Sequence, residues 1–346
     1  MAVNPSVGLK VDRDRAHTLF PLLLDRYAKN RFPYNLSHAL LPQDEDHMPK
    51  TLPRGGVDHA MFLFCVCYYM RGGIKSATAV KSLSRLYDDF PDLFVAKKIK
   101  NFDAKRLSEI LRDYNLGYHS SDIGPAWVEN AKRLVSLWGG DPRNIFVGVS
   151  TYEDACKHVA NDHHVGGFIG FQKKMVSMLI VYLVDAELIE PFLFPVPVDM
   201  HVTRVVVANE IVVPTGHTDE NTDLLQGEYL PDLIREIVFQ FAMDKKANPV
   251  ILSEALWLLS ATICDQNPGN QTRSGRYAAR STVLTPIEID WSETQNESYR
   301  NSCGSCPLDP TCRWNIPSAP YYRWAQIMRR GERERSPAQT LFPLHT

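Results

Sequence analysis

Apolar residues along this chain recur every third or fourth position far more often than every second. In SATAVKSLSRLYDDF, Ala79, Leu83, Leu86 and Phe90 fall on one stripe; in PAWVENAKRLVSLWGGDP the stripe is Val128, Ala131, Val135 and Trp138. Both spacings are those of an amphipathic helix. Pro125 marks the expected opening of the second helix and Gly139-Gly140 its close. PDLIREIVFQFAM repeats the pattern. VILSEALWLLSATICDQNPGN carries it through Leu252, Leu256, Leu259 and Ile263 until Asn267-Pro268-Gly269 stops it. AMFLFCVCYYM is apolar all round and reads as buried helix, with Cys65 and Cys67 as small hydrophobes. Strand alternation is scarce and no internal repeat is apparent, so the expected fold class is all-α.

Composition adds a size and a constraint. A chain of 346 residues with 44 % hydrophobic content can bury a large core, as one large or two intimate domains. The opening MAVNPSVGLKVDRDRAH lacks the apolar core of a signal peptide, and no apolar run approaches the roughly 18–20 residues of a membrane span. The expectation is a soluble, cytoplasmic protein (nucleoid-associated if bacterial), monomeric and without a membrane partner. The formal net charge of −2 does not advertise a duplex binder, which draws affinity from Lys and Arg at phosphates. Two local basic stretches, Ala96 to Arg106 and Tyr321 to Ser336, are candidates for such contact or merely solvated faces.

Cysteine usage is uneven. Three of the seven cysteines, Cys303, Cys306 and Cys312, fall in SCGSCPLDPTCRW. A disulfide knot belongs to small secreted chains. Zinc usually brings paired C-x2-C halves or a His-x3-5-His partner, and an iron–sulfur cluster takes four thiolates from loops of this kind. The cluster is the favoured reading, with zinc or no metal as the alternatives. Cys264, at the end of a predicted helix, is the best-placed fourth thiolate, whereas Cys156 stands alone in YEDACKHVA. Asp265 to Ser302, polar and rich in Gly, Ser, Thr and Asn, reads as a surface insertion.

Ala-Leu-Trp on a helix, then Cys264, then C-x2-C-x5-C resembles the cluster loop of the endonuclease III and adenine-glycosylase branch of the helix-hairpin-helix DNA glycosylases. The first gap, C-x6-C in that family, is here much longer. PVPVDMHVTRVVVANEI resembles the family stretch Val-Asp-Thr-His-Val-x-Arg at Val198, Asp199, His201, Val202 and Arg204, with Met200 in place of threonine. GGFIGFQKKMVSMLIVYL resembles the helix-hairpin-helix, with Gly170, Phe171 and Lys174 matching and Gln172 in place of the second glycine. These pieces occur in the family's order across roughly residues 55 to 315.

The resemblance implies a two-domain helical DNA-glycosylase fold. Residues 1–55 would pack with the C-terminal part, 56–198 would form a six-helix domain with the hairpin at about 166–183, and 199–346 would form the cluster domain with insertion 265–302. Leu40 to Gly56, rich in Pro and charge, reads as the linker. The implied cofactor is a [4Fe–4S] cluster on Cys264, Cys303, Cys306 and Cys312. The implied partner is double-stranded DNA containing a modified base. The implied activity is hydrolysis of an N-glycosidic bond on a base flipped into a pocket. Asp199 would stabilise the oxocarbenium-like sugar, doubling as a helix N-cap. Lys174 is the candidate nucleophile of a weak strand-cleaving activity. DNA contacts are expected at Gly170, Phe171, Gln172, Lys173, His201 and Arg204, with Met70 or Arg71 filling the gap left by the flipped base. The alternatives are a non-catalytic iron–sulfur DNA-binding protein and an N-glycosidase acting on a free modified nucleoside or nucleotide. His163-His164 with Asp162, and Asp58-His59, read as solvent loops.

Overall fold

The computed structural model describes residues 8–69, 76–116, 120–161, 167–215, 229–264, 285–288, 293–312 and 321–324. In chain order they form β1 (Gly8–Val11), α1 (Arg13–Ala28), α2 (Val57–Tyr69), α3 (Ser76–Asp89), α4 (Ala96–Ile99), α5 (Ala104–Asp113), α6 (Ser120–Trp138), α7 (Tyr152–Val159), α8 (Lys173–Asp185), α9 (Met200–Ala208), β2 (Val212–Thr215), α10 (Tyr229–Lys245), α11 (Pro249–Thr262), β3 (Thr285–Glu288), α12 (Glu293–Asn301) and β4 (Tyr321–Trp324). The protein is all-α, with only two short antiparallel strand pairs among the described residues, β1 with β2 and β3 with β4. No described helix is long and apolar enough to cross a membrane.

The chain divides into two compact units, Met1–Ala39 with Val198–Thr346, and Leu40–Pro197. In the first, α1 packs on α10 and α11, and α9 packs on α11. Asp12 opens α1 by accepting the Arg15 N–H at 2.9 Å. The buried side of α1 carries Leu19, Phe20 and Leu23, and Phe20 meets Phe241 edge to face at 5.1 Å. All four stripe residues expected on α11 are buried, and the helix ends where the Ile263 N–H reaches back to Leu259 O.

The second unit is organised around aromatic side chains. Phe62 stacks on Phe94, which meets Trp127 edge to face, and Phe64 stacks on Phe171. Cys65 and Cys67 are fully buried on α2. Three sequence expectations change here. Helix α6 starts at Ser120, so Pro125 lies inside it, forgoing one backbone donor. Its buried face also takes in Trp127, Asn130 and Leu134, while Val135 and Trp138 are only half-buried. The segment read as a linker is packed: Leu41, His47, Met48 and Leu52 are buried. Arg54 holds it closed, pairing with Glu45 at 2.7 Å and donating to the carbonyls of Pro49 and Leu52. Polar backbone thus finds partners inside the unit, which a free linker would leave to water. Within the stretch read as an insertion, β3 and α12 are formed.

His59 also departs from its reading as a solvent residue. It lies on α2, 6 % exposed, with Nδ1 accepting the Gly55 N–H and Nε2 without a hydrogen-bond partner among the described residues. Burial, reinforced by Arg54, lowers its pKa against the opposing pull of Glu45. A folded-state pKa below the unfolded value, about 6.5, means that the unfolded chain binds the proton more readily. Stability is therefore fully present above that pH and is lost as pH falls through it. His59→Leu should lose less melting temperature than the native protein between pH 7.5 and 5; equal losses would show that His59 does not titrate in this way.

Candidate functional site

Helix α9 positions the candidate carboxylate. Asp199 has extended backbone angles (φ −117°, ψ −169°), and its Oδ1 accepts the N–H groups of His201 at 2.8 Å and Val202 at 3.1 Å. Its carbonyl takes the Thr203 N–H and hydroxyl. The side chain is partly exposed, and Oδ2 accepts no hydrogen bond from the described residues. One oxygen therefore fixes the group and leaves the other without a hydrogen bond from the described residues; a helix N-terminus favours a carboxylate's negative charge.

The next turn of α9 faces inward. His201 Nδ1 lies 3.1 Å from Ser260 Oγ, and the His201 ring meets Trp257 edge to face at 5.2 Å. Arg204 donates to the same Ser260 hydroxyl at 3.2 Å and is only 3 % exposed. The expected role of Arg204 as a DNA contact is corrected: its guanidinium is spent on helix packing, because i and i+3 residues share a face. His201, half-buried, shares that packing.

At the other end of α9, Asn209 caps the helix through its amide on Val205 O at 2.8 Å, and its Oδ1 accepts the Thr311 hydroxyl at 3.1 Å. Thr311 belongs to the cysteine-rich loop, which is built from successive tight turns: Cys306 N–H to Cys303 O, Asp309 N–H to Cys306 O, and Cys312 N–H to Leu308 O. Leu308, 2 % exposed, anchors the loop. The result is a pocket lined by Cys264, Cys303, Cys306 and Cys312, with Val205, Ala208, Leu259 and Ile263 as apolar wall. None of the four is in a disulfide, and all are half-buried. Burial pushes the Cys306 thiol pKa up, and Cys264 and Cys303 add to it. The same burial, with Cys306 beside it, raises the phenol of Tyr34, which donates to Ala255 O at 3.0 Å. Among the described residues no group of three or more His, Cys, Asp or Glu side chains is placed to hold a metal ion. The four thiols line one pocket.

The second unit holds the other candidates. Gly170 has φ +86°, as the third residue of a turn closed by Phe171 N–H to Phe168 O at 3.0 Å. Gln172 is the exposed residue before α8, Lys173 is exposed and Lys174 half-buried, close enough to buried Cys67 to act on its thiol electrostatically. Phe171 is corrected as a DNA contact: its ring is 1 % exposed on Phe64, and its N–H is already bonded within the turn. Met70 and Arg71, like Asp162, His163 and His164, lie outside the described residues.

Sequence reasoning missed Ser260, Tyr34, Thr311 and Asn130. Only Asn130 left a signal, as a polar residue beside the apolar stripe of α6. Its amide donates to Ile169 O at 3.0 Å and its Oδ1 accepts the Ile169 N–H at 2.7 Å.

No protein-family model matches the chain, and no curated protein matches it. A solved structure, a trapped endonuclease III–DNA covalent intermediate in an estranged-adenine complex, aligns over 88 % of this chain and 97 % of that one, at 11 % identity and a TM-score of 0.47. That likeness is too distant to carry a role from one chain to the other.

Capping at Asp199 is separable from its charge. Asp199→Ala should cost about 1 kcal/mol of stability and Asp199→Asn only a few tenths, read from denaturant midpoints of the full chain. Equal losses would mean that the cap bonds contribute little.

Proposed function

We propose that this protein is a DNA glycosylase that hydrolyses the N-glycosidic bond of a modified base rotated out of the duplex. The observation that carries the reading is Asp199: a carboxylate pinned by two backbone N–H groups at the head of α9, with its second oxygen unengaged among the described residues, inside a stretch that resembles the family's Val-Asp-x-His-Val-x-Arg. A rigid, pre-placed anion suits a step in which positive charge develops at the sugar. The C1′–N bond breaks with its electron pair leaving on the base. The oxocarbenium-like sugar is stabilised by Asp199, water adds to C1′, and the proton it loses balances the negative charge carried off by the base.

The thiol pocket fits a [4Fe–4S] cluster better than a lone ion. Four irons each need one thiolate, so ligands spread around a cavity are required, whereas zinc needs four donors on one point. Cys264, Cys303, Cys306 and Cys312 would hold it. Bound there, the cluster would cross-link the end of α11 to the loop that Thr311 ties to α9.

Lys174 at the first turn of α8 is the candidate amine for attack at C1′. Gln172 replaces the glycine expected two residues before it, and angstrom-scale misplacement costs about a hundredfold in rate. Base release is therefore expected to outrun strand cleavage.

The test is a panel of duplex oligonucleotides carrying lesions and hypermodified bases, scored for free base and abasic sites. The native protein should release at least one base. Asp199→Asn, which retains the cap, should be slower by about a hundredfold or more with duplex affinity preserved. Undiminished release by Asp199→Asn would reduce Asp199 to a helix cap. Duplex binding without release of any base would favour the non-catalytic reading.

A further inference from the structure

Most backbone polar groups of the turn that leads into α8 have partners, and two of the exceptions are informative. Phe168 N–H donates to Val159 O, Phe171 N–H to Phe168 O, and the Phe171 carbonyl accepts Asn161 N–H at 2.7 Å. Ile169 is held at both its N–H and its C=O by the Asn130 side chain, which is 0 % exposed. Burying an amide on the face that also carries Trp127 and Leu134 is costly unless its bonds are made. A hydrophobe would have served packing alone. The N–H groups of Gly170 and Gln172 find no acceptor among the described residues; Gly170 is half-buried and Gln172 exposed.

Peptide planarity links these facts. In a trans peptide the C=O of one residue and the N–H of the next point in opposite directions, and the only cis bond in the described chain is Phe32-Pro33. Asn130 fixes Ile169 O toward the buried interior, so it aims the Gly170 N–H away from it. The Asn161 N–H does the same for the peptide that ends in the Gln172 N–H. From α7, the Tyr152 hydroxyl holds the Lys173 carbonyl at 2.8 Å and so orients the next peptide.

We infer that Asn130 is a positioning residue for nucleic-acid backbone binding. By clamping Ile169 it presents the Gly170 N–H outward, beside the Gln172 N–H that Asn161 aims, to one phosphate oxygen of the DNA, with Tyr152 steadying the start of α8. The inference rests on the proposed DNA reading and adds the residue that shapes the phosphate contact. Such paired donors form an anion-binding concavity.

The experiment is a methylphosphonate scan of the phosphates in a duplex carrying an abasic-site analogue. Affinity of the full-length protein is measured well below the melting temperature of each variant. In the native protein, replacing one phosphate should weaken binding by about tenfold, as expected for a hydrogen bond to a charged group. In Asn130→Ala that phosphate should no longer matter, while sensitivity elsewhere is kept. A merely structural role for Asn130 would lower the melting temperature and leave the phosphate pattern unchanged, and that result would overturn the inference. If Asn130→Ala does not fold, the same scan on Tyr152→Phe should show reduced sensitivity at the same phosphate, and an unchanged pattern would again overturn it. Native protein with no duplex affinity would sink the DNA reading itself, an outcome distinct from an unaltered pattern.

Discussion

The buried hydroxyl of Ser260 is the point on which α9 depends. It is fully buried on α11 and receives two side chains from successive turns of α9, His201 and Arg204. A guanidinium 3 % exposed is expensive to bury and is retained only where its donors are satisfied. The bonds to Ser260 therefore set both the rotation and the position of α9. Everything proposed for the first unit follows from that docking. Asp199 stands at one end of the helix and the Asn209–Thr311 link to the cysteine loop at the other. About 1.5 Å of rise per residue makes a nine-residue helix roughly 13 Å long. A short rigid rod thus connects a pinned carboxylate with a ring of thiols.

The second unit solves a different problem by the same means. Its turn before α8 is fixed by a buried polar side chain that spends both its donor and its acceptor on one residue. Gly170 supplies the positive φ that the turn needs, and Gly167 approaches the Ala160 carbonyl so closely that no Cβ fits between them. In both units a buried polar group fixes the backbone on which the chemistry would depend, while apolar packing only brings the helices together.

Much of this was legible from residue order. The periodic stripes located the helices, because burial on one face is what gives an amphipathic helix its spacing, and α11 and α10 follow it closely. The cysteine spacing and the helix-ending Cys264 named the four thiols that line one pocket. What was not legible depends on tertiary partners. Arg204 read as a DNA contact because nothing local announces Ser260, 56 positions later. Leu40 to Gly56 read as a linker from its Pro and charge, yet Arg54 and Glu45 turn that composition into a closed, packed segment. Tyr34 gives no local sign that it sits beside Cys306. Phe171 looked like part of a binding loop and is core, because motif position says nothing about which way a side chain points.

On the proposed reading α9 joins a catalytic carboxylate to a cluster site, and the most direct measurement is the iron and acid-labile sulfide content of anaerobically purified full-length protein, read with its visible absorption. The expected result is a brown protein with about four irons and four sulfides per chain, one iron per thiolate, lost when Cys264 is changed to serine and kept when Cys156 is. Colourless protein carrying one zinc, or a cluster that survives Cys264→Ser and is lost with Cys156→Ser, would contradict it.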